Sequence, residues 1–283
     1  MCLIALALGQ HPRYPLVIAA NRDEFLLRPA AALDWWRPEP TVEPVLGGRD
    51  LQAGGTWMGL ARNGRLAMLT NVRDLPRYKP GAPSRGAIVP AWLATSDAAA
   101  DFWRSTAGRG HNPFNLLAAD IANGHWWWAD DRADAPRTLG PGLYGLSNAA
   151  LDTRWPKVQR LKSAVAAALD HSVSFAALEA ELFAALADRS PVADDDLPDT
   201  GVGLDRERGL APAFIRTPDA HYGTRCSTLL IGQAGSAGLE VRVIERQFDA
   251  AGQAVSQRSA RLPAWPALDG TLRPVQTVAV SRG

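Results

Sequence analysis

Cysteine is nearly absent from this chain. Its 283 residues include two, Cys2 and Cys226. Two cysteines so far apart, with no C-x-x-C, exclude a disulfide framework. Long apolar runs are missing as well. No window approaches the roughly 20 apolar residues of a membrane-spanning helix, so no integral membrane segment is expected. Neither sign of charge is in excess, since 30 Lys and Arg face 29 Asp and Glu for a net charge of +1. That balance argues against a nucleic-acid partner and against an acidic tail. The five histidines (His11, His111, His125, His171 and His221) are scattered without ligand spacing, so no metal site is expected. G-x-x-x-x-G-K-[ST], H-E-x-x-H and G-x-S-x-G do not occur. Gly140-Pro141-Gly142-Leu143-Tyr144-Gly145 matches G-x-G-x-x-G in letters only. It leads into a strand-like segment, whereas a dinucleotide fingerprint opens a helix.

What is present is a hydrophobic content of 47%. That suffices to bury a large core, at the upper end for one domain, and a single domain over residues 1–283 is expected. The first apolar run, Leu3 to Leu8, is short. No Lys or Arg precedes it, and His11, Pro12 and Arg13 follow at once. A secretory signal has a basic start and a longer apolar stretch. A cytoplasmic chain is therefore expected, with its start retained apart from Met1.

Periodicity gives the elements. Cys2 to Leu8 and Leu16 to Ala20 read as a β-hairpin, and Thr56 to Ala61 with Arg65 to Asn71 as a second, turning at Arg62-Asn63-Gly64. Pro29 to Pro44 reads as a loop or an edge. Gly47-Gly48 and Gly54-Gly55 bracket another loop. Helices are expected over Ala87 to Ala94, Asp97 to Thr106, Trp155 to Leu169 and Phe175 to Ala187. In the last of these Leu178, Leu182 and Leu186 recur at steps of four. Phe114 to Asp120, Gly124 to Asp130 and Leu143 to Ser147 read as strands. So do Ser227 to Gln233, Leu239 to Phe248 and Val255 to Leu262. Pro191 to Asp219 reads as a polar surface loop with some helix. In His125-Trp126-Trp127-Trp128, strand alternation puts Trp126 and Trp128 on one face and Trp127 on the other, as core packing does. Strands, then helices, then strands imply an α+β fold of antiparallel sheets with helices packed outside them.

Cys226, on an apolar strand, fits a buried small hydrophobe. Cys2 is different. Its small side chain favours removal of Met1, which leaves a thiol and a free α-amine on one residue. Their unperturbed pKa values, about 8.5 and about 7.7–8.0, are close enough for the amine to accept the thiol proton. Nucleophile and base then share one residue. Such a site needs a carboxylate to orient the amine, donors for an oxyanion and a cation. Candidates stand at strand ends: Asn21-Arg22-Asp23-Glu24, Asn71, Asn148, and Tyr222-Gly223-Thr224-Arg225. An extended backbone at 21–24 puts Asn21 and Asp23 on one face, and Arg22 and Glu24 on the other.

Met1-Cys2 with Asn21-Arg22-Asp23-Glu24 resembles the NRDE family, which includes the transport and Golgi organization protein 2 homologues. Gly54-Gly55-Thr56-Trp57-Met58-Gly59, Leu69-Thr70-Asn71, Ser84-Arg85-Gly86, Leu146-Ser147-Asn148 and Tyr222-Gly223-Thr224-Arg225 extend the resemblance over most of the chain. It implies a four-layer αββα sandwich like that of N-terminal-nucleophile hydrolases. That family is similar in turn to the bile salt hydrolase, penicillin V acylase and isopenicillin acyltransferase group. By that likeness Cys2 matches the nucleophile and Asp23 the carboxylate that orients the amine. Asn71 and Asn148 match the oxyanion-side asparagines, and Arg225 a late arginine. Asn21, Arg22, Thr56, Trp57 and Tyr222 are taken as substrate-binding. One departure stands out: the acylases carry an Arg three residues before the Asp, where this chain has Ala20, and Arg22 is the nearest substitute.

Two functions follow as expectations. One is a Cys-dependent amidohydrolase or acyltransferase on a linear amide or thioester, with no cofactor and a small-molecule acyl substrate as partner. The alternative implied by the resemblance is a non-catalytic haem or lipid binding and trafficking protein. It would use the same cleft, with a thiol able to ligate haem iron but no C-x-x-C-H attachment site.

Overall fold

Hydrophobic strands with both faces covered lose their alternation, and Leu3 to Leu8 is such a strand, buried at every position. The computed structural model describes residues 3–236, 238–267 and 272–278. In chain order its elements begin with β1 (Leu3–Leu8), β2 (Leu16–Phe25), β3 (Ala30–Trp36), β4 (Val45–Asp50), β5 (Met58–Ala61) and β6 (Arg65–Asn71). Then come α1 (Ile88–Ala94), α2 (Ala99–Ala107), β7 (Phe114–Asp120), β8 (His125–Asp130), β9 (Arg137–Thr138) and β10 (Gly142–Leu146). The chain continues through α3 (Pro156–His171), α4 (Phe175–Leu186) and α5 (Leu204–Leu210) to β11 (Tyr222–Gly235), β12 (Gly238–Phe248), β13 (Ala254–Trp265) and β14 (Gln276–Val278).

Among the described residues the strands form two seven-stranded antiparallel sheets. One runs β10-β1-β2-β11-β12-β13-β14, and the other β3 through β9 in sequence order. Pleating divides their side chains among three hydrophobic layers. Ile4, Leu6 and Ile18 meet Leu46, Leu66, Met68 and Leu117 between the sheets. Leu3, Ala5, Val17 and Ala19 pack outward onto Val158 and Leu161 of α3 and Leu178 and Leu182 of α4. Ala67, Leu116 and Ala118 pack the other way, onto Val89 and Trp92 of α1 and Phe102 and Trp103 of α2. The result is the α+β sandwich with αββα layering. Trp126 lies in the layer between the sheets and Trp127 in the α1/α2 layer, as alternation requires.

Three segments differ from the sequence reading. Gly47 and Gly48 are inside β4 rather than in a loop. A side chain at Gly47 would strike the Met58 carbonyl, and one at Gly48 the Trp57 ring. Glycine there permits close approach of neighbouring backbone and ring. Ala30 to Trp36, by contrast, takes the edge reading expected within Pro29 to Pro44, as the edge strand of its sheet. β11 starts at Tyr222, five residues before the expected Ser227, and β2 extends to Phe25 because β11 pairs along it. That pairing sets Asn21 opposite Ser227 and Asp23 opposite Thr224, with a bulge at Arg225.

Candidate functional site

The Asn-Arg-Asp-Glu run is thus extended strand within β2, and its side chains diverge as the pleat dictates. Asn21 is wholly buried. Its amide donates to the carbonyls of Leu186 at 2.9 Å and Ala213 at 2.7 Å, and its Oδ1 accepts from Ser227 Oγ at 2.6 Å. It fastens α4 to the sheet. Asp23 is buried too. Its Oδ1 accepts from Thr224 Oγ1 at 2.7 Å, and its carbonyl accepts from Tyr222 Oη at 3.2 Å. The same Thr224 hydroxyl accepts from the Ile215 amide at 2.9 Å.

Arg22 turns toward the second sheet. Its guanidinium lies 4.1 Å from the centre of the Trp57 ring, and Nη2 is 3.6 Å from Asp50 and 3.8 Å from Glu24. Stacking on an indole with carboxylates alongside is a stable place for a buried cation. Its Nη1 is also buried and has no hydrogen-bond partner among the described residues. Thr56 precedes Trp57 and holds the loop, with Oγ1 donating to the Met58 carbonyl at 2.9 Å. Asp50 stays below the usual carboxylate range. Burial pushes it up, but the hydrogen bond from Arg28 and the charges of Arg28 and Arg22 outweigh that.

A cavity of about 650 Å³ opens at one end of the sandwich, and Asn71, Asn148 and Tyr222 line it together. Asn148 Nδ2 donates to the Asn71 carbonyl at 2.9 Å, and the Asn148 carbonyl accepts from the Arg73 amide at 2.7 Å. Asn115 backs the pair, with Nδ2 donating to Thr70 Oγ1 at 3.0 Å and to the Ala149 carbonyl at 2.9 Å. Asn71 itself lines the cleft.

Arg225 sits at the bulge. Its Nη1 donates to the carbonyls of Phe25, Leu26 and Arg28, at 3.1, 2.7 and 2.9 Å. It therefore fixes the turn after β2, of which Phe25 belongs to the cleft lining. Burial and the nearby Arg22 charge make its protonated form less favourable than usual. Cys2 lies outside the described residues. β1 starts at Leu3, which sits opposite Asn21, the residue before Arg22.

The candidates thus fall into two groups. Asn71, Asn148 and Tyr222 meet at the cleft, and Tyr222 reaches back to Asp23. Arg22 and Trp57 meet between the sheets, with Thr56 holding the adjoining loop. Asn21 lies apart from both, among the helices. Glu245 is among the buried groups that escaped the sequence reading. It is 1% exposed, and its Oε1 accepts from the Leu33 amide at 2.8 Å. Burial raises its pKa. It neighbours Cys226, whose thiol is pushed well up by burial and by Glu245. Alternation along Val241, Val243 and Glu245 was the signal for an inward carboxyl. Among the described residues, no three His, Cys, Asp or Glu side chains gather to hold a metal ion, and no helix is long and apolar enough to cross a membrane.

Fold and site together define an αββα sandwich with a polar strand-end cluster over an open cleft. A sequence model described as Transport and Golgi organisation 2 matches residues 1–250. The chain belongs to that family. A Transport and Golgi organization protein 2 homolog from Bos taurus is 34% identical over 253 residues, covering 83% of this chain and 89% of the relative. The Homo sapiens homolog is 32% identical over 251 residues with the same coverage. Among solved structures, an N-acylethanolamine-hydrolyzing acid amidase ortholog from Caenorhabditis elegans is similar with a TM-score of 0.45 at 12% identity, covering 81% of this chain and 92% of that one. A mutant conjugated bile acid hydrolase from Clostridium perfringens has a TM-score of 0.44 at 9% identity, covering 99% and 97%.

Proposed function

We propose that this chain is a cysteine-dependent N-terminal-nucleophile amidohydrolase or acyltransferase acting on a linear amide or thioester. The carrying observation is the meeting of Asn71 and Asn148 on the cleft wall, where Asn148 Nδ2 donates to the Asn71 carbonyl. With Met1 removed, the α-amine of Cys2 takes the thiol proton and the thiolate attacks the acyl carbon. The carbonyl electrons move to oxygen, and the Asn71 amide donates to that oxyanion. As the tetrahedral species collapses, the bond to the leaving amine or thiol breaks and the α-ammonium returns the proton. Water or an acceptor then attacks the thioester and frees Cys2. Asp23, fixed by Thr224, is the carboxylate that orients the amine. Arg22, with its open Nη1, supplies the cation that Ala20 cannot.

Intact-mass spectrometry after incubation with acyl-amide and acyl-thioester panels tests this reading. Wild type should lack Met1 and gain an acyl adduct, or turn over, and Cys2→Ala should do neither. A wild type that shows neither turnover nor a Cys2-dependent adduct ends it.

Exposed Phe25, Leu75 and Tyr78 on the cleft lining favour a second reading, a carrier that holds haem or a lipid without turnover. Titration with micromolar haem separates the two. A Soret shift lost in Cys2→Ala supports carriage, and no shift in wild type removes haem from consideration.

A further inference from the structure

Arg73 lies two residues past Asn71 and joins three parts of the molecule. Its amide holds the Asn148 carbonyl, its guanidinium lies 5.3 Å from the Trp155 ring centre, and its Nη1 donates to Glu207 Oε2 at 2.8 Å. Glu207 belongs to α5, a seven-residue helix otherwise turned to solvent over its first turns, with Leu204, Asp205, Arg206 and Arg208 exposed. The buried residue of that stretch is therefore a carboxylate, where an anchoring helix would carry an apolar side chain. Its second oxygen, Oε1, accepts from the Thr200 amide at 2.8 Å and the Thr200 hydroxyl at 2.5 Å.

The two ends of this region are tied down elsewhere. Arg160 holds the carbonyls of Ser190 and Pro191, and Lys157 holds that of Leu210 at 2.9 Å. Between these anchors, Arg208 pairs with Asp194 and Asp205 of the same region and not with the body of the fold. Gly201 and Gly203 stand at φ +81° and +86°, with open space where a Cβ would be. Glycine at such angles on both sides of one residue makes a natural hinge. Val202, Asp205, Arg206, Gly209 and Leu210 form one wall of the cleft.

We propose that residues 199–210 are a hinged lid over the cleft, latched by the Arg73–Glu207 pair. Ahead of the Lys157 anchor at Leu210, the side-chain bonds from this segment to the sandwich both come from Arg73, to Glu207 and, at 3.4 Å, to Thr200, and a segment held at so few points opens locally at low cost. Opening also unloads Arg73, the residue whose amide holds Asn148, so the lid and the asparagine pair respond together. The inference needs only that the cleft receives a ligand and stands apart from acyl transfer.

Hydrogen exchange on the full chain tests it. Glu207→Gln keeps the acceptor for Thr200 and removes the charge pair. It should speed amide exchange over 199–210 by about tenfold or more while β6 and β11 keep their protection. Arg73→Lys, which keeps the charge and loses the planar fork, should give an intermediate rise. Ile215 lines the cleft and is 1% exposed. Peptide-resolved N-ethylmaleimide labelling of Ile215→Cys should quicken by a similar factor when Glu207→Gln is added. Unchanged exchange in 199–210, a rise spread evenly over both sheets, or unaltered labelling would each overturn the lid. Neither readout involves acyl chemistry, so that outcome leaves the acyl-transfer reading where it stood.

Discussion

The side-chain amide of Asn148 donates to the main-chain oxygen of Asn71 at 2.9 Å, and both residues line the cleft. The two asparagines have unequal parts under the proposed chemistry. Asn71→Ala should slow acylation of Cys2 by about 10²–10³-fold with little loss of stability. Asn148→Ala should slow it too, and should also cost about 1 kcal/mol in urea unfolding because a buried hydrogen bond is lost. Normal acylation in Asn71→Ala would remove it from the oxyanion role.

Arg22 is buried against Trp57 at 4.1 Å with Asp50 and Glu24 nearby. Replacing it by Ala removes the stack and the charge, at an expected cost of about 3 kcal/mol. Lys keeps the charge but not the plane, so Arg22→Lys should lose about 1 kcal/mol. Urea denaturation reads both. Equal losses for the two variants would mean that the stacked plane contributes nothing.

Glu245 gives a pH signature. Burial raises its pKa above the ordinary 4.5. The folded chain then holds this proton more tightly than the unfolded chain does. Its contribution is fully present below pH 4.5 and is lost as pH rises through the folded-state value. Glu245→Gln cannot ionise and can still accept from Leu33. The variant should therefore gain stability relative to wild type between pH 5 and pH 8, measured by urea titration at each pH. A difference that does not move with pH contradicts the buried, proton-holding state.

Gly55 approaches the backbone of Gly86, and the Thr56 amide donates to the Gly86 carbonyl at 3.1 Å. A methyl group on Gly55 would overlap that carbonyl. Gly55→Ala should lower stability by about 3 kcal/mol or more, seen as a fall in Tm by circular dichroism. Gly54→Ala meets open space but a φ of +76°, so it should cost less, about 1 kcal/mol. An unchanged Tm in Gly55→Ala would show that the two loops can separate freely.

The layering was legible because local pattern and burial agree. Leu178, Leu182 and Leu186 step along α4 and are buried against the sheet, as spacing requires. β4 was hidden because Gly47 and Gly48 read as loop punctuation, while their actual reason is the nearness of Met58 and Trp57. The far half of β2 was hidden because Asn21 to Glu24 is polar. Pairing with β11, whose Ser227 stands opposite Asn21, carries the strand through it. Asn71 and Asn148 could be picked out as strand-end polar residues, but not their bond. Arg73 and Glu207 are 134 residues apart, and a single sequence carries no sign that they touch.

β2 is an interior strand, with β1 on one side and β11 on the other. Asn21 and Ser227, which bond across that second seam, are 206 positions apart. At about 5–20 residues per second, a ribosome takes about 10–40 s to make the intervening chain. Throughout that interval the β2 edge bearing Asn21, Arg22 and Asp23 lacks its neighbour, and an open edge recruits other strands. The nascent polypeptide therefore carries an open, polar strand edge at Asn21, Arg22 and Asp23 until β11 emerges, and that edge is a place where misassembly can start.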